Sequence, residues 1–181
     1  MTEIFWAELK EKLQSMPTEK DHPFRYATLG TVGLETMPRL RTIVIREVSK
    51  DLTLTFYTDK RSKKIMHIKE NNRVSLLFYD HKNLLQLKVE GIANIVSDEA
   101  LLREYWKNIH PKSQKDYTTR SAPGSDISNP DNVEYLQEGN HFCMVRVVPY
   151  KIEYLKLKRP NHLRISFSRE EGDWYGEFLV P

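Results

Sequence analysis

The feature that most constrains the fold is the period of the hydrophobic pattern. The stretches Phe24–Thr31, Arg39–Val48, Leu52–Thr58, Arg73–Tyr79 and Leu84–Val96 read as strands, and only Ser62–Glu70 among them switches to helical spacing. Towards the C-terminus come Phe142–Val148, Tyr150–Leu157, Leu163–Ser168 and Trp174–Leu179, with Pro149 expected to break the first pair and Pro160-Asn161 to turn the second. The reading gives about eight strands, with helices inserted but not in regular alternation. A parallel sheet needs a crossover after each strand, so an antiparallel barrel with peripheral helices is expected. The fold class is therefore mainly β with peripheral α, one domain over residues 1–181.

The helical segments are few. Phe5, Leu9, Leu13 and Met16 make one stripe of a helix over residues 2–16, with Thr2 as N-cap and Pro17 as the stop. In Ser62–Glu70, Ile65 and Ile68 point inward alongside Met66. Ser97 is expected to cap a helix to Asn108 whose apolar face is Leu101, Leu102, Tyr105 and Trp106, and Pro111 opens a shorter helix to Tyr117. Arg120–Asp131 reads as a long loop and Asn132–Glu138 as a short helix, while Gly91 marks a bulge in its strand.

Several function classes are disfavoured. Hydrophobic content of 39% and charged content of 29% describe a globular chain, and the net charge of +3 is too small to argue for nucleic acid. The single cysteine, Cys143, sits in an apolar run and forms no internal disulfide. No apolar run reaches the roughly 20 residues of a membrane span, and the acidic residues Glu3 and Glu8 argue against a signal peptide, so a cytoplasmic location is expected. The six histidines show no metal-ligand spacing. Glycine-rich dinucleotide and P-loop motifs, HExxH, CxxC and Gly-x-Ser-x-Gly are all missing. What remains is a cofactor that brings its own reactivity.

Two basic features stand out. Lys60-Arg61-Ser62-Lys63-Lys64 leads into a helix whose N-terminus is already partly positive, which suits a bound phosphate or else a solvated, salt-screened turn. Arg41-Thr42-Ile43-Val44-Ile45-Arg46 brackets an apolar strand with two guanidinium groups. Alternation puts Arg41 and Arg46 on opposite faces unless the strand is bulged, so one would meet phosphate and the other a ring edge or second anion, or both point to water.

Those residues, with Phe56-Tyr57-Thr58, Asn71 to Phe78 and Gln86 to Gly91, closely resemble the pyridoxamine 5′-phosphate oxidase family in order and interval. The similarity is strong over residues 36–106 and weaker over 142–181. It implies a split antiparallel β-barrel that binds FMN, assembled as a homodimer with flavin at the subunit interface. It implies phosphate contacts from Arg41, Ser62, Lys63 and Lys64, and a backbone run of Thr42, Ile43 and Val44 along the isoalloxazine. Arg46 would stand at the family's lysine position near ring and substrate. Tyr57, Thr58 and Gln86 would complete the near wall, and Arg164 matches the C-terminal arginine that reaches the flavin.

The departures are equally specific. Asn161-His162-Leu163-Arg164 keeps only the last arginine of the family's pyridoxal phosphate signature, Leu155 stands for its tryptophan, and Ile109 or His110 stands where a substrate-phosphate arginine is expected. No side chain is assigned as a catalytic acid or base. The expectation is an FMN-dependent oxidoreductase moving a hydride between flavin and an unidentified small substrate, without nucleic acid or membrane partners. The alternatives are a flavin- or haem-handling binding protein on the same fold and a nucleic-acid binder using Lys60–Lys64, whose cluster has no interleaved aromatics.

Overall fold

A computed structural model describes residues Met1–Pro181. The strands are β1 (Tyr26–Val32), β2 (Pro38–Val48), β3 (Leu54–Asp59), β4 (Arg73–Asp80), β5 (Leu85–Ile95), β6 (Phe142–Lys156), β7 (Leu163–Glu170) and β8 (Asp173–Leu179). The helices are α1 (Thr2–Ser15), α2 (Lys63–Glu70), α3 (Glu99–Asn108) and α4 (Pro111–Gln114). The sheet runs β3-β2-β1-β4-β5-β6-β7-β8, and a further pairing of β3 with β6 closes the first part into a barrel. Every pairing is antiparallel, so the antiparallel barrel expected from the hydrophobic period, and the split barrel that the resemblance implies, is the fold found.

One strand corrects the sequence reading. Pro149 was expected to separate two strands, yet β6 runs unbroken from Phe142 to Lys156. The reason lies in its partners. β5 follows one edge of β6 from Val145 to Lys156, while the other edge pairs with β3 at Phe142–Val147 and with β7 at Lys151–Lys156. Pro149 falls in the gap between β3 and β7, where a missing N–H costs no ladder bond. Opposite it, β5 shifts register between Glu90 and Gly91, as the glycine suggested. A Cβ at Gly91 would stand 2.7 Å from Val147 Cγ1 and 2.8 Å from the Val148 carbonyl oxygen, so no side chain fits.

The barrel interior is a cluster of 27 buried residues, drawn from alternate positions of the strands and from α1 and α2. Burial of each large apolar side chain contributes about 1.5–3 kcal/mol. Leu9, Leu13 and Met16 of α1 are fully buried, and Trp6 stacks against Trp174 at 4.9 Å, which fixes α1 against β7 and β8. Thr2 is the first helical residue, not the cap, and its hydroxyl donates to the Gly176 carbonyl. A smaller cluster of Tyr117, Phe142 and Met144, with Tyr57, Tyr105 and Trp106 packed around it, holds α3 beside β3.

Other local details differ from expectation. Asp98, not Ser97, caps α3, accepting from the Ala100 and Leu101 amides at 2.9 and 3.0 Å. Met66 is exposed and His67 buried in its place. The short helix expected over residues 132–138 is a single turn at Pro130–Asn132, followed by a bridge from Tyr135 to Thr119.

Candidate functional site

At one end of the barrel, α2 brings a lysine against an arginine of β2. Arg41 shares the inward face with Ile43 and Ile45, but it sits at the barrel rim, where its guanidinium donates to Thr31 Oγ1 at 2.6 Å and to the Arg39 carbonyl at 2.9 Å. Lys64 Nζ donates to Thr58 Oγ1 at 2.9 Å, and Thr58 Oγ1 lies 3.3 Å from Ser62 Oγ. The Lys64 ammonium is held below the usual lysine range, first by burial and next by the Arg41 charge. Arg41 is lowered as well, by burial and then by Arg39. Neither cation has a carboxylate bonded to it, since neighbouring Asp59 is engaged with Arg61. Two half-buried positive groups with hydroxyls between them suit an anion of phosphate type.

The basic run is less concentrated than its sequence suggests. Arg61 leaves the anion cradle altogether: it donates from Nε and Nη2 to the two Asp59 carboxylate oxygens at 3.0 and 2.7 Å, and to the Thr119 and Arg120 carbonyls at 2.8 Å. Lys60 and Lys63 are exposed. Ser62 occupies the N-cap position of α2, yet its hydroxyl makes no cap bond and stays with Thr58. Behind the cradle, Thr31 Oγ1 accepts from Arg41 and also shares a hydrogen bond with Nδ1 of buried His67, 3.1 Å away. Burial, then the Arg41 charge, lowers the His67 pKa.

The far end of β2 carries a bulge. Its register with β3 slips between Ile45 and Glu47, leaving Arg46 as the extra residue. A bulge turns neighbouring side chains toward the same side, and Arg46 and Glu47 both line a cavity of about 450 Å³ beneath α3 and α4. Arg46 lies over the Tyr57 ring at 5.8 Å. The Tyr105 hydroxyl donates to Glu47 Oε2 at 2.9 Å. Burial, then Glu47, raises the Tyr57 phenol, and burial raises that of Tyr117, so these rings present hydroxyl donors at neutral pH. Glu47 and Ser113 are lining residues that the sequence pattern did not single out; the bulge that turns Glu47 inward has no glycine to announce it.

Between the two ends, Thr42 is exposed, Ile43 is buried and Val44 is half-buried. β2 meets β3 only from Ile45 onward, so no strand pairs with that edge of residues 41–44. Arg41 and Arg46 are separated along β2 by about 17 Å.

Gln86 and Arg164 do not join this group within one chain. Gln86 opposes Leu155, which opposes Arg164, so the three form one row on the outer face of β5, β6 and β7. Gln86 and Arg164 both lie three strands from β2 around the barrel, Gln86 by way of β1 and β4 and Arg164 by way of β3 and β6, about 14 Å across the sheet. Arg164 donates to Glu153 Oε1 at 3.0 Å, while its Nε is buried with no acceptor. Between row and rim, the outer face shows exposed Tyr26, Leu77 and Tyr79. Cys143 is buried on β6, and burial pushes its thiol up to about 11, leaving it unreactive.

A closed antiparallel barrel with an anion cradle at its rim, a bare strand edge beside it and an aromatic cavity beyond is a barrel built to hold an anionic, ring-bearing cofactor. The chain belongs to the pyridoxamine 5′-phosphate oxidase FMN-binding domain family, whose model matches residues 3–97. It is 28% identical over 93% of its length to a pyridoxine/pyridoxamine 5′-phosphate oxidase of Zymomonas mobilis, covering 93% of that protein. A Psychrobacter protein of the same description is 35% identical over 53% of this chain and 44% of its own. Among solved structures, a pyridoxamine 5′-phosphate oxidase-related FMN-binding protein of Nostoc punctiforme superposes with a TM-score of 0.79 at 20% identity, covering 97% of both chains. PhzG of Burkholderia lata, solved with tetrahydrophenazine-1-carboxylic acid, superposes with a TM-score of 0.75 at 17% identity over 99% of this chain and 90% of its own.

FMN is the cofactor of this family's domain, and the residues present fit it. The uncompensated Arg41–Lys64 pair meets the need for a phosphate, and the orphaned Arg164 Nε–H and unpaired edge of β2 offer donors for a polar ring. No helix is long and apolar enough to cross a membrane.

Proposed function

We propose that the protein is an FMN-dependent oxidoreductase that works as a homodimer, with each flavin held between two chains. The reading rests chiefly on Arg41 and Lys64, two cations brought together in a half-buried cradle without a carboxylate. In it, Arg41 and Lys64 bind the FMN phosphate, with Thr58 and Ser62 fixing the ammonium, and Lys63 contributes charge from the rim. The backbone of Thr42, Ile43 and Val44 runs along the ring, Arg46 and Tyr57 stand at its end, and Gln86 and Arg164 reach it from the second copy. The separation of Gln86 and Arg164 from the cradle, and the exposed tyrosines and leucine between, support the second copy.

Bound FMN supplies the two-electron acceptor; the chain supplies position and charge. Arg46, fixed over Tyr57, sets a positive charge at the ring end of the site, which favours extra negative charge on whatever lies there. A second copy that covers the exposed Tyr26, Leu77 and Tyr79 would exclude water from that face. A cytoplasmic, soluble enzyme acting on a small molecule is the corresponding cellular reading.

The test is direct. Purified protein should show oxidised-flavin absorbance, release FMN on denaturation at one per chain, and sediment as a dimer. Leu77→Arg on the outer face should lower both dimer content and flavin content together. A colourless protein that takes up no FMN on titration would overturn the cofactor reading, and a flavin-loaded monomer would overturn the dimer.

A further inference from the structure

The cavity beneath α3 and α4 has a charge pattern of its own. Of the charged side chains lining it, Arg46 is the single guanidinium, and Glu47 and Glu104 are two carboxylates. Arg46 is already engaged with the Tyr57 ring. Glu47 is half-buried and aimed by the Tyr105 hydroxyl; Arg146, across Thr55 from Glu47, also neighbours that hydroxyl but does not line the cavity. His110, the remaining titratable group, uses its Nδ1 to accept from the Lys112 amide at the start of α4. Ile109 presents an apolar side chain where a cation would be needed to hold an anion. The walls between these groups are the rings of Tyr57, Tyr105 and Tyr117, with Tyr57 and Tyr117 set edge-on to Phe142 at 5.1 and 5.5 Å.

Such a lining discriminates. A phosphate monoester carries about two negative charges at neutral pH, and here it would face two carboxylates with one cation whose electrostatic capacity is shared with an aromatic ring. A flat ring carrying an ammonium or another donor is matched instead: aromatic walls take the ring, and Glu47 takes the donor. We propose that this cavity is the substrate pocket, that it selects an unphosphorylated, flat molecule bearing an amine or equivalent donor, and that Glu47 is the residue that selects it. This rests on the flavoprotein reading above and narrows its substrate class, away from the phosphorylated compounds named for the relatives. The bulge at Arg46 is what makes it possible, because a regular strand would turn Glu47 away from Arg46.

Pyridoxamine and pyridoxamine 5′-phosphate are suitable probes, identical but for the phosphate. Each is titrated calorimetrically into the FMN-loaded protein and into the same protein stripped of flavin, at fixed salt. Pyridoxamine should bind the loaded protein at least about tenfold more tightly than its phosphate ester. Glu47→Gln keeps the bond from Tyr105 but removes the charge; it should weaken pyridoxamine about tenfold, narrow the difference between the probes, and leave FMN content unchanged. Glu47→Asp should restore part of the preference. Tighter binding of the phosphate ester, binding of neither probe, or an unchanged preference in Glu47→Gln would overturn the assignment. Competition between pyridoxamine and FMN in the stripped protein would also overturn it, by giving the cavity to the flavin ring. Failure of the protein to take up FMN at all is read separately, in the flavin spectrum, and counts against the cofactor reading instead.

Discussion

Arg61 grips the buried carboxylate of Asp59 with two parallel bonds, Nε to Oδ1 at 3.0 Å and Nη2 to Oδ2 at 2.7 Å. Burial alone would raise the Asp59 pKa, but the bonds from Arg61 outweigh it and hold the carboxyl below its ordinary value. The same guanidinium reaches the carbonyls of Thr119 and Arg120, so it ties the tip of β3 to the start of the long loop. Although it lies inside a basic run, its work is structural.

Arg61→Ala should therefore destabilise the fold by about 3 kcal/mol, because it strands a buried carboxylate. Urea denaturation measures this directly. Flavin affinity should change much less than stability does, and amide exchange should rise around residues 119–121. Loss of flavin binding with unchanged stability would return Arg61 to the anion site.

Arg41 and Lys64 should behave in the opposite way. Removing either should weaken FMN by about 1.5–3 kcal/mol, roughly ten- to a hundredfold, as expected for a charged hydrogen bond to phosphate. Riboflavin, which lacks the phosphate, should bind wild type and variants alike. Lys64→Met should in addition stabilise the flavin-free protein by about 0.5–2 kcal/mol, since burial and the Arg41 charge both work against its ammonium. Equal losses for FMN and riboflavin would show that the pair does not read the phosphate.

Stability should fall on the acid side of neutrality. Burial lowers the pKa of His67, and also of His22 and His141, from the ordinary value of 6.5. The unfolded chain takes up those protons near pH 6.5, and the folded chain takes them up only at lower pH. The stability gained by keeping them neutral is thus complete above pH 6.5 and is lost as pH falls through that value, by at most about 1.4 kcal/mol per pH unit for each histidine. His67→Asn, whose side-chain amide can either donate to or accept from Thr31, should flatten the dependence. Urea midpoints at pH 7.5 and 5.5 that shift equally in wild type and variant would rule His67 out.

The barrel was legible in the sequence because period-two burial is a local property of each strand: Val74, Leu76 and Phe78 alternate with exposed neighbours just as their types suggest. Helix α1 was legible for the same reason at a different period. What was not legible depends on partners distant in the chain. Pro149 signals a break by its chemistry, and only the hand-over from β3 to β7 makes it harmless. Met66 and His67 exchange inside and outside, and Thr31 supplies the buried histidine with a hydrogen-bond partner. The chain also shows basic residues at 60–64 as one cluster, whereas Asp59 withdraws one of them and solvent two more. Arg41 and Lys64, expected together on the phosphate side, lie near each other in space, while Gln86 and Arg164 belong to another face and gave no local sign of it.

The open edge of β2 at residues 41–44 has a consequence beyond the ligand it can serve. Unpaired strand edges are where one chain adds to another, and evolution usually blunts them with charge or proline. Here Pro38, Arg39 and Arg41 stand at one end and Arg46 at the other, leaving Leu40 and the run Thr42, Ile43 and Val44 without such a guard. Two of these guards, Arg41 and Arg46, are residues the proposed flavin site would also use. On that reading cofactor and solubility are coupled: the arginines that keep a flavin-free chain from adding to its neighbours are the ones a flavin would engage.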